Sequence, residues 1–69
     1  MAFLRVITPG NPVNEYVIDE GTTIGAFVNA NGINLNGRAI VLNGVDATLD
    51  TQINGDSQLL LVAAVKGGN

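Results

Sequence analysis

Neither a cysteine nor a histidine occurs in this chain, and the absence weighs heavily because the chain has only 69 residues. A domain of that size buries roughly 60% of the surface its unfolded form exposes, which leaves a thin core. Small domains usually compensate with disulfides or a structural zinc ion. Both routes are closed here, and no thiol or imidazole is left for catalysis. Dense apolar packing is what remains, and 46% of the residues are hydrophobic, mostly Val, Ile, Leu and Ala. One domain is the most such a chain can hold.

Charge narrows the function classes. Charged residues make up 13% of the chain, against about 25% in an ordinary soluble domain. The basic residues Arg5, Arg38 and Lys66 are scattered and the net charge is −3, so no positive stripe forms for nucleic acid. The longest apolar run, residues 59–65, is far short of the roughly 20 residues that span a bilayer. Residues 1–7 lack a signal-peptide pattern, and a cytoplasmic location is expected. With so few charges, solubility rests on Asn, Thr, Gln and Gly. Such a surface suits a protein docked in an assembly, and it equally suits a neutral-polar monomer.

Along the chain, residues 3–8 alternate two apolar sets, Phe3 with Ile7 and Leu4 with Val6, and read as a strand. Pro9-Gly10-Asn11-Pro12 breaks it, and residues 13–19 form a second strand, giving a hairpin. Glu20-Gly21-Thr22-Thr23 opens a helix, with Thr22 or Thr23 as cap and Asp19 and Glu20 at the positive end of its dipole. Ile24, Phe27 and Val28 then share one helical face, and Asn31-Gly32 stops it. Gly25 weakens this short helix, which survives by packing on a sheet. Residues 38–43 read as a covered strand, Asn43-Gly44 as a tight turn, and residues 45–49 as a short strand alternating Val45, Ala47 and Leu49 against Asp46, Thr48 and Asp50. After a turn at Asn54-Gly55-Asp56, residues 58–65 are the most apolar stretch and the expected middle strand. The helix face should pack on Leu4, Val6, Ile40, Leu42, Leu59 and Leu61 or on their strand neighbours, since a one-residue slip of register inverts which set points inward. The expected fold is α+β: a β-grasp, with a mixed sheet of four to five strands and one short helix on one face. Residues 1–65 form the domain and residues 66–69 a flexible tail.

The ordered motifs resemble a family, the small sulfur-carrier proteins of thiamin and molybdopterin biosynthesis, which are relatives of ubiquitin. Glu20-Gly21-Thr22-Thr23-Ile24 is similar to that family's entry into its helix. The strand and turn from Ala39 to Gly44 with Asp46, and Asn54-Gly55-Asp56 before Leu59-Leu60-Leu61-Val62, resemble its later strands. Ala64-Val65-Lys66-Gly67-Gly68 resembles its di-glycine end. The resemblance implies that Gly67 and Gly68 thread a narrow channel in an activating enzyme, where side chains are excluded and backbone freedom is needed. The Gly68 carboxylate would there be adenylated and become a thiocarboxylate or be joined to an amine. Asn69 departs from the pattern, since it makes the Gly68 carbonyl an amide. The reaction then requires removal of Asn69, or the fold has outlived the reaction. A frayed terminus is the plain alternative for Gly67-Gly68.

No constellation in the chain reads as an active site, so no enzyme and no cofactor are expected. Asp46, Asp50 and Asp56 read as solvated carboxylates without a metal-binding spacing. Residues 31–37 lack the Lys-Ser or Lys-Thr of a phosphate loop, and Ser57 has no histidine to activate it. The expected partner is a protein, either an activating enzyme or an assembly or target protein. Tyr16 and Arg38 are candidates for a binding face, Tyr16 as an aromatic anchor, although a tyrosine serving the core is the alternative. Two functions stay open: a ubiquitin-like or sulfur-carrier-like protein acting through protein binding and its Gly-Gly, or a non-covalent binding or assembly module, for example one encoded by a phage or other mobile element.

Overall fold

The computed structural model of the protein describes residues 1–35 and 37–63. In the first strand, β1 (Ala2–Ile7), the two apolar sets separate. Ala2, Leu4 and Val6 are buried, whereas Phe3 and Arg5 are exposed. Arg5 decides the parity: a guanidinium cannot enter a thin core unpaired, so the set that includes it takes the wet face. The Pro-Gly-Asn-Pro cluster reverses the chain, and β2 (Asn14–Ile18) returns antiparallel to β1 with Tyr16 opposite Leu4.

Two short elements follow, β3 (Thr22–Thr23) and α1 (Ile24–Ala30). Thr23 is the N-cap, its Oγ1 accepting the Ala26 N–H at 3.1 Å. The remaining first-turn donors are satisfied from a distant segment. The Ile24 N–H reaches the Thr51 carbonyl at 2.9 Å and the Gly25 N–H reaches that of Leu49 at 2.8 Å, so this helix end needs no water. Asp19 and Glu20 stop short of the expected place, since the first turn holds no acidic residue. Asp19 acts instead through its backbone carbonyl, which accepts from the Thr22 N–H and hydroxyl. The helix ends as read, with Gly32 at φ 64° and the Asn31 Nδ2 donating to the Phe27 carbonyl at 2.9 Å.

The hairpin of β4 (Ala39–Leu42) and β5 (Val45–Asp46) turns on Asn43 and Gly44, at φ 52° and 82°. Positive φ at both central residues is what a two-residue turn between twisted strands requires. The expected strand over residues 45–49 is cut to Val45–Asp46, and Val45 and Leu49 are both exposed. The Ala47 N–H still reaches the Ile40 carbonyl of β4 at 3.0 Å, and beyond it the backbone leaves the sheet: the Thr51 N–H closes a turn on the Thr48 carbonyl at 3.1 Å, and Leu49 and Thr51 give their carbonyls to α1. Gly25 makes this approach feasible, since a Cβ there would lie 3.1 Å from the Leu49 carbonyl oxygen.

A strand not foreseen, β6 (Gln52–Ile53), pairs with β3 in a separate two-stranded sheet and drives Ile53 to complete burial. The last strand, β7 (Ser57–Val62), lies in the middle of a five-stranded sheet of order β2-β1-β7-β4-β5, parallel to β1 and antiparallel to β4. The described residues thus form an α+β fold with a mixed sheet and one short helix. Ile24, Phe27 and Val28 pack with Leu4, Val6, Leu59 and Leu61, with Ile40 and Leu42 partly buried against them. Ala2, Ile18 and Ile53 complete this core. The expected end of the domain at residue 65 and the tail over 66–69 lie outside the described residues.

Candidate functional site

Helix and core occupy one face of the large sheet, and the residues of opposite parity form the other. Strand register sets them in rows. Phe3 stands beside Val17, Arg5 between Glu15 and Gln58, and Leu60 between Ile7 and Val41, with Asp46 at the end of that row. Val62 and Ala39 make a further pair. Phe3 and Val17 are 61% and 57% exposed, and Ile7, Val41, Leu60 and Val62 are half-buried. No described helix or strand covers these side chains. An apolar surface of this kind marks an interaction site when it is contiguous.

One polar row crosses this face. Arg5 donates to the Glu15 carboxylate at 3.0 Å through its Nη2, with both side chains more than half exposed. A shallow depression of about 260 Å³ lies beside them, lined by Phe3, Asp56 and Gln58 among others. The Asp56 carboxylate is engaged in holding the sheet, since its Oδ1 accepts the Phe3 N–H at 2.9 Å. A second groove of about 420 Å³ runs between β2 and α1, lined by Ile18, Ala26, Phe27 and Ala30 among others. Its walls are mostly apolar.

The sequence candidates fall elsewhere. Tyr16 is on the helix-bearing face, half-buried, its ring nearly perpendicular to that of Phe27 with centroids 5.0 Å apart. Arg38 immediately precedes β4, half-buried, its backbone N–H on the Leu35 carbonyl. Tyr16 is level with the start of β7, through Leu4 and Ser57, whereas Ala39 pairs with Val62 at its end. At about 3.3 Å per residue and 4.8 Å per strand, the structure keeps Tyr16 and Arg38 well over 15 Å apart. Gly67 and Gly68 lie outside the described residues.

Asp46, Asp50 and Asp56 do not converge: no group of three acidic side chains placed to hold a metal ion occurs among the described residues. No described helix is long and apolar enough to cross a membrane. The outer row of Ile7, Leu60 and Val41 was missed by sequence reasoning. The signal that could have found it is Arg5, which shares parity with Phe3 and Ile7 and so labels that set as outward. No protein-family model matches this chain, and comparison with the curated proteins finds no match.

Proposed function

We propose that this protein is a ubiquitin-like, β-grasp binding module that acts by docking on another protein through the outer face of its sheet. The observation that carries the reading is the uncovered outer face, where Phe3 with Val17 and Ile7 with Leu60 and Val41 form two apolar groups on either side of the Arg5–Glu15 row. The partner it fits has apolar residues framed by basic ones, because Asp46 and Asp56 stand at the edge of this face while Arg5 and Glu15 neutralise each other. Phe3 is the best anchor, being the large aromatic side chain on that face. No step in this function requires chemistry by the chain itself.

The sulfur-carrier or modifier role is the elaboration of this reading. It is favoured by the direction of β7, which carries Leu60 and Val62 of the docking face and runs toward Gly67-Gly68 in sequence. That role needs cleavage of the Gly68–Asn69 bond, because an acyl-adenylate forms on a free carboxylate.

Two measurements test the proposal. The set of proteins captured from the native host by the full chain should be lost with Phe3→Asp at an unchanged circular dichroism spectrum. Retention of the same partners would overturn the outer-face reading. A chain ending at Gly68 should accept AMP from an adenylating enzyme of that host, whereas the chain ending at Asn69 should not. Equal binding of both chains without AMP transfer would leave a purely non-covalent module.

A further inference from the structure

The sequence contains four Asn-Gly steps, at Asn31, Asn36, Asn43 and Asn54, and the fold treats the described ones differently. In such a step the glycine nitrogen can attack the side-chain amide of the preceding asparagine, because no Cβ blocks the approach. The attack needs a side chain free to swing onto its own backbone. Asn43 is tied at both ends: its Oδ1 accepts the Gln58 N–H at 2.9 Å and its Nδ2 donates to the Ser57 hydroxyl at 3.3 Å. Asn31 gives its Nδ2 to the Phe27 carbonyl, and the Gly32 N–H it would react with is held by the Asn29 carbonyl at 3.4 Å. Asn54 is exposed in the turn between β6 and β7, and among the described residues neither its amide nor the Gly55 N–H has a hydrogen-bond partner.

We propose that Asn54 is a site of spontaneous covalent modification, converted to aspartyl and isoaspartyl ahead of Asn31 and Asn43. The Gly55 nitrogen bonds to Cγ of Asn54, the Cγ–Nδ2 bond breaks, and ammonia leaves with the proton that Gly55 gives up. Water then opens the resulting succinimide. Opening at Cγ leaves an ordinary aspartyl residue in place of the asparagine. Opening at the backbone carbonyl gives the isoaspartyl form, in which the main chain runs through the former side chain and is one carbon longer. The net change is amide plus water to carboxylate and ammonium, with no oxidant or reductant.

The position gives the change a structural consequence. Ile53 is fully buried on one side of Asn54, and Asp56, on the other, holds the Phe3 N–H. An extra main-chain carbon between these anchors cannot leave both in place. The isoaspartyl form therefore loosens either the Ile53 seat or the Asp56–Phe3 bond at the edge of the outer face. This inference stands whether or not that face docks a partner.

The test is a time course of the full chain in mildly alkaline buffer, read residue by residue by fragmentation mass spectrometry that separates isoaspartyl from aspartyl. Two tethering bonds should slow Asn43 about tenfold or more relative to Asn54. The same experiment in strong denaturant should bring the three rates together, and Ser57→Ala, which removes the acceptor of the Asn43 Nδ2, should speed Asn43. Equal rates in the folded protein, or Asn31 or Asn43 reacting first, would overturn the proposal. So would a ranking that persists in denaturant, since it would then belong to the sequence and not to the fold.

Discussion

Gly25 has two opposed effects that can be weighed. In the sequence it reads as a helix weakener, worth about 1 kcal/mol against alanine. In the fold it lets the Leu49 carbonyl come close enough to accept its N–H at 2.8 Å. Gly25→Ala would put a methyl 3.1 Å from that oxygen and 3.2 Å from the Leu49 Cβ. A backbone oxygen yields less readily than a side-chain tip, and overpacking of this kind costs about 1–3 kcal/mol. Net destabilisation of about 1 kcal/mol is expected by urea unfolding, and a gain in stability would show that the 47–51 loop gives way freely. Phe27 is the simpler case. It is 2% exposed and its ring stands nearly perpendicular to that of Tyr16, so Phe27→Ala should cost about 3–5 kcal/mol. A thermal melt barely shifted by that change would contradict the packing. The Arg5–Glu15 pair, exposed on both sides, should contribute under about 1 kcal/mol in a double-mutant cycle.

Elements were legible in the sequence to the extent that each carried its own signal. The β4–β5 turn at Asn43-Gly44 and the helix stop at Asn31-Gly32 could be read because only residues tolerant of positive φ sit there. The central position of β7 followed from its unbroken apolar run. Ile53 was not legible, because a single apolar residue between Gln52 and Asn54 has no period to detect, and a two-residue strand adds none. The 47–51 segment misled for the opposite reason: its alternation of Ala47 and Leu49 against Thr48 and Asp50 is that of a strand, yet its carbonyls are taken by the first turn of α1. The outer apolar face lay half hidden, since both parities of β1 are apolar apart from Arg5. These dependencies predict a hierarchy. Thr23→Ala should cost about 1 kcal/mol through the lost cap. Ile53→Ala, in an element of only two residues, should cost more, about 2–5 kcal/mol. Comparable small losses at both positions, measured in the same denaturant series, would mean that the β3–β6 sheet is peripheral.

At the scale of the whole molecule, the amides of Leu59 and Leu61 should exchange with solvent most slowly, since β7 has a partner strand on each side and both side chains are at or below 1% exposure. Faster exchange there than in β2 would contradict the strand order. The same parallel pairing of β1 with β7 also sets a schedule for the protein's birth. β1 emerges from the ribosome ahead of β7, and at about 5–20 residues per second the interval between them lasts seconds. Until then the hairpin of β1 and β2 has an open flank, and Leu4 and Val6 have no Leu59 or Leu61 to pack on. A nascent chain stalled before Ser57 should remain open to protease.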